Sequence, residues 1–184
     1  MNKEHEANTE IAILAGGCFR CTEAVFNRVQ GVKEVIPGYT GGAIKNPAYR
    51  EICTGRTGHA EGIKVIYDAE VISFKELLEI FFTTHDPTTL NQQGNDRGTQ
   101  YRSAIFYINE YQKEIAHNVI NDLEKQQVFE NPIVTEITVF DVFYNAEEEH
   151  HEYYERHKTQ PYCEIIINPK LQKLKQRFSH KLKY

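Results

Sequence analysis

The chain has 184 residues, of which 40% are hydrophobic and 26% are charged, and these fractions are ordinary for a globular protein. Its formal net charge of −5 argues against a nucleic-acid binder, because such proteins usually carry a basic stripe. No apolar run approaches the ~20 residues of a transmembrane helix, and the polar start lacks the apolar core of a secretory signal. We therefore expect a single cytoplasmic domain over residues 1–184, monomeric, without membrane or nucleic-acid partners, and with flexible ends at 1–10 and 180–184.

The stretch after the polar start joins an apolar run to two glycines and two cysteines. Residues 11–15 predict a buried strand, and Gly16 and Gly17 then permit a sharp turn. A helix is predicted to open at Cys18, where unpaired backbone N–H groups and the helix dipole stabilise a thiolate. We therefore expect the pKa of Cys18 to lie below the ~8.5 of a free cysteine, and Cys18 to act as a nucleophile. Cys21 follows one helical turn later, within disulfide reach, and is the candidate resolving cysteine.

Apolar periodicity and breaker residues predict the remaining elements in chain order. The predicted helices cover residues 18–31, 74–82, 109–127, 147–157 and 170–179, and Ser73 with Glu76 predicts a capping box before the second. The predicted strands cover residues 32–36, 58–67, 101–109 and 133–144, with a turn at 37–38 and an extended stretch at 165–167. Hairpin-like and crossover connections are mixed in this order, so we expect an α/β (α+β) fold with a mixed sheet and flanking helices.

Two predicted loops carry side chains suited to ligand contact. Residues 39–49 contain two tyrosines whose hydroxyls could face a site, although packing is the more frequent role of a tyrosine. Residues 83–100 form a long polar loop, and a loop of that length inside a compact domain is usually functional or disordered. A substrate-contacting loop and a structural loop remain equally good interpretations of this second segment.

Glu61 is a candidate proton donor because of the strand that carries it. Strand alternation places Glu61 on the same face as Ile63 and Val65, and Lys64 on the opposite, wetter face. A carboxyl among apolar neighbours resists ionisation and can donate a proton near neutral pH. An exposed glutamate at the end of a strand is the alternative interpretation.

These groups together fit the reduction of a polar S=O or O–O bond. A thiolate attacks the sulfur while a carboxylic acid supplies a proton to the departing oxygen. Hydroxyl donors polarise that oxygen beforehand. The product on the protein is a sulfenic acid, which a neighbouring thiol can convert to a disulfide. Four cysteines in a chain expected in the cytoplasm favour such chemistry over structural disulfides.

Several spaced segments resemble those of the A-type peptide methionine sulfoxide reductases, which act on the S epimer of methionine sulfoxide. The matching segments are GCF at 17–19, GYTGG at 38–42, NPAYREI at 46–52, TGHAE at 57–61, NQQGNDRGTQYRS at 91–103 and PYCEIIINPKL at 161–171. They follow the family's order over most of residues 11–171, which is far more specific than one CxxC. The resemblance implies a mixed α/β roll related to the ferredoxin-like plait, no metal or organic cofactor, and thioredoxin as the reductant.

The resemblance also implies roles for individual residues. Cys18 would be the attacking cysteine, and Glu61 would give a proton to the sulfoxide oxygen. Tyr49 and Tyr101 would hydrogen-bond that oxygen. The implied substrate-binding residues are Asp96 for the substrate backbone, and Phe19 with Arg20 for the pocket of the substrate methyl group.

The chain departs from the family pattern at two places. Arg20 stands where the family usually has tryptophan, and it offers the methyl group only an aliphatic stem and a charged plane. Many members carry resolving cysteines in a C-terminal tail, whereas this chain has none after Cys163, so Cys21 becomes the leading candidate. Cys53 and Cys163 are expected to be small buried residues. Direct reduction of the sulfenic acid, without a resolving cysteine, is the other possibility.

Two other protein classes share part of the pattern. A thioredoxin-like dithiol oxidoreductase also places CxxC between a strand and a helix, but it does not require Glu61, Tyr49 and Tyr101. A non-enzymatic metal-binding module could use the CxxC as half a zinc site. Its further ligand types would be Glu147, His150, His151, Tyr154 and His157. No second CxxC or matching histidine pair completes such a site, so we expect no metal.

Overall fold

The apolar run near the start of the chain forms β1 (Thr9–Gly16), a central strand in a computed structural model that describes residues 8–183. Ala12 and Leu14 pack into the main core, whereas Ile13 and Ala15 pack on the opposite face of the sheet. Because both faces of the strand are buried, its sequence is a continuous apolar run rather than an alternating one.

Seven further strands follow β1. They are β2 (Val32–Thr40), β3 (Ala60–Asp68), β4 (Gln92–Gln93), β5 (Asp96–Arg97), β6 (Ser103–Tyr107), β7 (Glu136–Val139) and β8 (Phe143–Asn145). Strands β4 and β5 pair with each other, and the other six form one sheet in the order β7–β6–β1–β3–β2–β8. Its neighbours are antiparallel except β6 and β7, which are parallel, so the prediction of a mixed sheet is confirmed.

The sheet is curled, because its two edge strands are nearly adjacent in sequence. Strands β7 and β8 lie at opposite edges, yet only residues 140–142 connect them. Four Cα–Cα steps reach at most ~14 Å, whereas five strand spacings would separate the edges of a flat sheet by ~24 Å. The edges must therefore approach each other, and Phe140 and Phe143 pack together with Ala104 and Phe106 on the face opposite the main core.

Six α-helices of the described residues flank this sheet. They are α1 (Phe19–Phe26), α2 (Tyr49–Cys53), α3 (Phe74–Thr84), α4 (Glu110–Lys125), α5 (Tyr153–Arg156) and α6 (Asn168–Phe178). The predicted capping box before α3 is confirmed, since the Ser73 hydroxyl accepts from the Glu76 N–H at 3.1 Å and the Glu76 carboxylate accepts from the Ser73 N–H at 3.2 Å. No helix within residues 8–183 is long and apolar enough to cross a membrane.

The sequence-based boundaries were wrong mainly where distant strands pair or helices break. Strand β2 continues through the predicted turn at 37–38, because Gly38 lets β8 approach so closely that a Cβ there would lie 2.4 Å from the Tyr144 carbonyl oxygen. The predicted first helix extended to residue 31, whereas α1 already ends at Phe26. The predicted strand 133–144 is divided between β7 and β8 at the two sheet edges.

The C-terminal third contains two further corrections. The predicted helix 147–157 is a 3₁₀ turn (Glu148–His150) followed by α5, interrupted at Glu152, which has a left-handed φ of 53°. The predicted extended stretch 165–167 belongs to a π-helical turn, Cys163–Ile167, that continues into α6. A run of three isoleucines cannot distinguish a strand from a helix by periodicity alone.

The chain ends were expected to be flexible. Residues 1–7 and 184 lie outside the described residues. Thr9 instead begins β1, and Leu182 forms an isolated β-bridge with Val29. The Lys183 N–H also donates to the Arg28 carbonyl oxygen at 2.8 Å, so the C-terminal segment packs beside the end of α1.

Candidate active site

Cys18 lies at the N-cap of α1, where the turn after β1 places it. Gly17 has φ of 92°, and a Cβ there would lie 2.5 Å from the Gln93 side chain, so the turn requires glycine. The Cys18 carbonyl accepts from the Cys21 N–H at 3.1 Å, which begins the helix and leaves the partly exposed thiol beside its first turn. The predicted strand–turn–helix around Cys18 is thus confirmed.

Glu61 of β3 faces the same helix terminus. The Phe19 N–H donates to Glu61 Oε1 at 3.2 Å, and the Glu61 side chain is 2% exposed. Burial raises the pKa of Glu61 well above its ordinary value, and a negative charge on Cys18 raises it further. The prediction that Glu61 lies on the apolar face is confirmed, and its surroundings favour the protonated carboxyl.

Tyr49, Tyr101 and Asp96 come to this terminus from three separate segments. Tyr49 begins α2, Asp96 begins β5, and Tyr101 ends the 3₁₀ turn Thr99–Tyr101. Burial raises the pKa of Tyr101, and the nearby charges of Glu61 and Asp96 raise it further. Burial likewise raises the pKa of Tyr49. Both phenols therefore remain hydrogen-bond donors through the physiological pH range.

The thiols of Cys18 and Cys21 share a hydrogen bond, and this contradicts one expectation. That bond and burial raise the pKa of Cys18, whereas the same bond lowers the pKa of Cys21. The Tyr162 hydroxyl, 3.4 Å from the Cys21 sulfur, and the Lys170 charge also lower it. The pair accepts one negative charge readily and resists a second. The direction for Cys18 is opposite to the low pKa that was expected, because the Cys21 thiol and burial oppose a charge on Cys18, whereas the Tyr162 hydroxyl lowers the pKa of both cysteines.

The side chain of Arg20 is held between Tyr153 and His150. Its guanidinium carbon lies 4.0 Å from the centre of the Tyr153 ring, and its Nη2 lies 3.2 Å from His150 Nδ1. Phe19 is fully buried below it, with its ring centre 5.4 Å from that of His150. The Arg20 guanidinium thus lies over the Tyr153 ring, and what it offers to a substrate methyl group stays a prediction.

A cavity of about 260 Å³ opens between the cysteines and the C-terminal segment. Among its lining residues are Cys18, Cys21, Asp96, Tyr162, Ile166 and Lys170. A larger cavity of about 570 Å³ lies around residues 83–88 and 128–131 and contains neither cysteine. The smaller cavity is therefore the one that adjoins the two cysteines.

Comparison with known proteins gives a direct family assignment. The sequence profile described as "Peptide methionine sulfoxide reductase" matches residues 10–182. The chain belongs to that family. The peptide methionine sulfoxide reductase MsrA of Saccharolobus solfataricus is 53% identical over 174 residues, covering 95% of this chain and 97% of the relative. The chain is accordingly an oxidoreductase, and neither the dithiol oxidoreductase nor the non-enzymatic metal module describes it.

Solved structures of the family share its fold. Reduced Mxr1 from Saccharomyces cerevisiae is 32% identical, with a TM-score of 0.78 over 85% of this chain and 90% of that one. Mxr1 in complex with Trx2 is 26% identical, with a TM-score of 0.56 over 78% of this chain and 85% of that one. The mixed α/β architecture with a curled sheet is therefore that of known methionine sulfoxide reductases.

Glu147 of this reductase is a site residue that the sequence suggested only as a metal ligand. Glu147 Oε1 accepts from the Tyr49 N–H at 3.2 Å, and Oε2 accepts from the Tyr39 hydroxyl at 3.0 Å. The His150 ring packs against Tyr49, with 4.5 Å between ring centres. Together they hold Tyr49 against the site, and the polar run 147–151 was the only signal for this role.

Metal-ligand types converge at one place in residues 8–183, the group of Glu147, Glu149 and His150. Glu149 is exposed, and Glu147 already accepts two hydrogen bonds. Cys18 and Cys21 do not belong to that group. The expectation that the reductase uses no metal stays a prediction. Of the other cysteines, Cys163 is buried as expected, whereas Cys53 is exposed and its predicted burial is wrong.

Glu23 of α1 anchors the segment that carries His150 and Tyr153. Its carboxylate accepts from the Glu152 N–H at 3.0 Å and the Tyr153 N–H at 3.3 Å. Only 1% of the Glu23 residue surface is exposed, and burial raises its pKa from 4.5 to about 7. Folding thus favours the neutral form of Glu23. The hydrogen bonds from the two N–H groups partly oppose this shift, because they stabilise the charged carboxylate.

We expect the stability of the reductase to fall as pH rises from about 5 to 7. The unfolded chain releases the Glu23 proton near pH 4.5 and the folded chain near pH 7, so deprotonation favours unfolding within that window. At about 1.4 kcal/mol per pKa unit, the limit of this effect is about 3 kcal/mol. Urea unfolding of Glu23→Gln at several pH values should give a flatter profile. The exposed Glu114→Gln should retain the slope, and an equally steep profile for Glu23→Gln would contradict this assignment.

Proposed function

We propose that this protein reduces methionine-S-sulfoxide, free or within proteins, to methionine, and so repairs oxidised proteins. The observation that carries the proposal is the convergence of a nucleophile, an acid and two phenols at one helix terminus. Cys18 lies at the N-cap of α1, the Phe19 N–H binds Glu61 beside it, and Tyr49 and Tyr101 share the electrostatic surroundings of Glu61. The family match agrees with this chemistry.

In the proposed first step, the Cys18 thiolate attacks the sulfoxide sulfur. Its charge comes from the shared Cys18–Cys21 pair, in which the proton moves along the hydrogen bond to Cys21. Glu61 gives its proton to the sulfoxide oxygen, while Tyr49 and Tyr101 donate hydrogen bonds to it. The attack forms a bond between the Cys18 sulfur and the methionine sulfur. The protonated oxygen then moves from the methionine sulfur to the Cys18 sulfur, so the substrate S–O bond breaks and a sulfenic acid forms on Cys18, while the sulfur–sulfur bond breaks and leaves its electron pair on methionine.

Substrate recognition is assigned to the residues around this centre. Asp96 is partly exposed in the cavity beside Cys18, where its carboxylate can accept from a substrate backbone N–H. Arg20, flat against Tyr153, forms a wall for the substrate methyl group, and Phe19 supports that wall from below. Arginine replaces the more frequent tryptophan here, so the wall is less apolar than in most members of the family.

Recycling is proposed to use Cys21 and a thioredoxin. Cys21 attacks the Cys18 sulfenic acid to form a disulfide, and a thioredoxin then reduces it. The hydrogen bond between the two thiols supports this pairing, and the complex of Mxr1 with Trx2 supports the reductant. No metal or organic cofactor enters either step.

Three broader assignments complete the proposal. The central strands β6–β1–β3–β2, with crossover connections through α1 and α3, support a relation to the ferredoxin-like plait. The four free cysteines support a reducing, cytoplasmic compartment. We also propose that the chain acts as a single, monomeric domain.

The test of the proposed function is stereochemical. With dithiothreitol as reductant, the protein should convert methionine-S-sulfoxide to methionine and leave the R epimer unchanged, because one arrangement of acid and phenols can meet the oxygen of only one epimer. Chiral chromatography of both epimers after incubation measures this directly. Equal consumption of the two epimers, or of neither, would exclude the proposal.

We expect Cys21→Ser to impair turnover with thioredoxin several-fold more than turnover with dithiothreitol. A small dithiol can reduce the sulfenic acid directly, whereas a thioredoxin is proposed to need the disulfide. Cys163→Ala is the matched control, because Cys163 is a buried cysteine of the same cluster. Preservation of thioredoxin turnover in Cys21→Ser, or its loss in Cys163→Ala, would assign the resolving role elsewhere.

A further inference from the structure

Two residues of the C-terminal segment face the candidate resolving cysteine rather than the oxygen-binding side of the site. The Tyr162 hydroxyl lies 3.4 Å from the Cys21 sulfur. Lys170 lines the cavity of about 260 Å³ together with Cys18 and Cys21. Glu61, Tyr49 and Tyr101 do not line that cavity, so the site has one side for the sulfoxide oxygen and another for the second thiol.

Lys170 is fixed at its position by the end of a helix. Its Nζ donates to the Thr84 carbonyl oxygen, the last residue of α3, at 2.9 Å. Within residues 8–183 this is its one hydrogen bond, and an ammonium has three N–H donors. Two N–H donors thus remain for an anion, and Lys170 lines both the cavity beside the cysteines and the larger cavity around residues 83–88. Burial lowers the pKa of Lys170, and the charges of the two cysteines oppose that change.

We propose that Lys170, together with the Tyr162 hydroxyl, stabilises the Cys21 thiolate while Cys21 closes the disulfide with Cys18. Lys170 is then a positioning residue for recycling, and it does not contact the oxygen-binding side of the site. This inference rests on the proposed function, since the sulfenic acid must first be formed on Cys18.

The recycling step balances without an added oxidant. Cys21 gives up its thiol proton, its sulfur attacks the Cys18 sulfur, the S–S bond forms and the S–O bond breaks. The departing hydroxyl and one proton leave as water. Both electrons that the cysteines lose were already accepted by the sulfoxide, so the substrate itself is the oxidant. A cation beside Cys21 promotes this step because the thiolate, not the thiol, attacks.

The charged and titratable groups around Cys21 show which other side chains could stabilise its thiolate. Cys18 is the N-cap of the helix that carries Cys21. Asp96 approaches Cys21 from β5, and Tyr162 and Lys170 approach it from the C-terminal segment. Asp96 opposes the thiolate, whereas Lys170 favours it. Lys173 and Asp86 lie close enough to act on Lys170, and Lys173 is exposed. Lys170 is therefore the cation whose substitution tests the inference.

The test measures the titration of Cys21 in a Cys18→Ser background, where the serine hydroxyl still offers a hydrogen bond. Iodoacetamide labelling of Cys21 is followed against pH, with peptide mass spectrometry to separate it from Cys53 and Cys163. Lys170→Met should raise the midpoint by roughly one pH unit. Lys170→Gln, which can still donate to Thr84, should do the same, whereas Lys170→Arg and Lys173→Met should leave the midpoint unchanged.

A second measurement uses the full chain with both cysteines and one equivalent of methionine sulfoxide. Counted from the moment at which methionine has been released, Lys170→Met should form the disulfide about threefold more slowly at pH 7, because a higher thiol pKa lowers the thiolate fraction and partly restores nucleophilicity. An unchanged midpoint in both Lys170→Met and Lys170→Gln would overturn the inference. Failure of the unsubstituted protein to release methionine would instead overturn the proposed function. The two assays therefore distinguish a failure of this inference from a failure of the proposed function.

Discussion

Cys18→Ser should reduce the conversion of methionine-S-sulfoxide to methionine by about 10⁴-fold or more, as is typical when a catalytic nucleophile is removed. A serine hydroxyl remains protonated at neutral pH and is a weak nucleophile without an adjacent base. The substitution is small, and the side chain makes no capping bond to α1, so the fold should persist. Methionine formed with dithiothreitol, quantified by chromatography, measures the effect.

Cys53→Ser is the control for this loss. Cys53 is an exposed cysteine at the end of α2 that hydrogen-bonds Tyr49, and a serine hydroxyl can keep that bond, so the activity should be retained. Circular dichroism of both variants should match that of the unsubstituted protein. If Cys18→Ser retained the activity of Cys53→Ser, the nucleophile would have to be another residue.

Glu61→Gln should slow the first chemical step by about 10²- to 10³-fold, the usual contribution of a general acid. The glutamine carbonyl can still accept from the Phe19 N–H, so the site should keep its shape and substrate binding should change little. Because burial raises the pKa of Glu61, the rate of the unsubstituted protein should decline where rising pH removes that proton. Single-turnover release of methionine against pH measures both effects.

Glu34→Gln offers a matched control, because Glu34 is an exposed strand glutamate on the neighbouring β2. It should retain the single-turnover rate and its alkaline decline. Glu61→Gln should lose the alkaline limb that belongs to the carboxyl. An unchanged single-turnover rate in Glu61→Gln would refute the acid role, even if the steady-state rate were altered by recycling.

Local sequence patterns were sufficient to predict the structure where the interacting residues are neighbours in sequence. The position of Cys18 followed from an apolar run, two glycines and a helix start, all within ten residues. The apolar face of Glu61 followed from strand alternation, and the start of α3 followed from a capping box. Such signals depend on backbone geometry over one or two turns, so they survive in the sequence. The spaced motifs added the family, which the profile match confirms.

Other features depend on residues far apart in the chain. Residues 133–144 formed one apolar segment in sequence, but the curl of the sheet places its two halves on opposite edges. The helix predicted over 147–157 breaks at Glu152, whose N–H is bound by Glu23 more than a hundred residues away. Periodicity contains no information on such partners, so these boundaries could be found only in the tertiary structure.

The sequence by itself determined which helix terminus carries Cys18 and which strand face carries Glu61. Only the tertiary structure decided the charge of the thiol pair, because Tyr162 and Lys170 approach Cys21 across more than 140 residues of chain. It also decided the setting of Arg20, which is held by Tyr153 and His150. A pKa depends on burial and on charges within several ångströms, and those neighbours are set by folding rather than by local sequence.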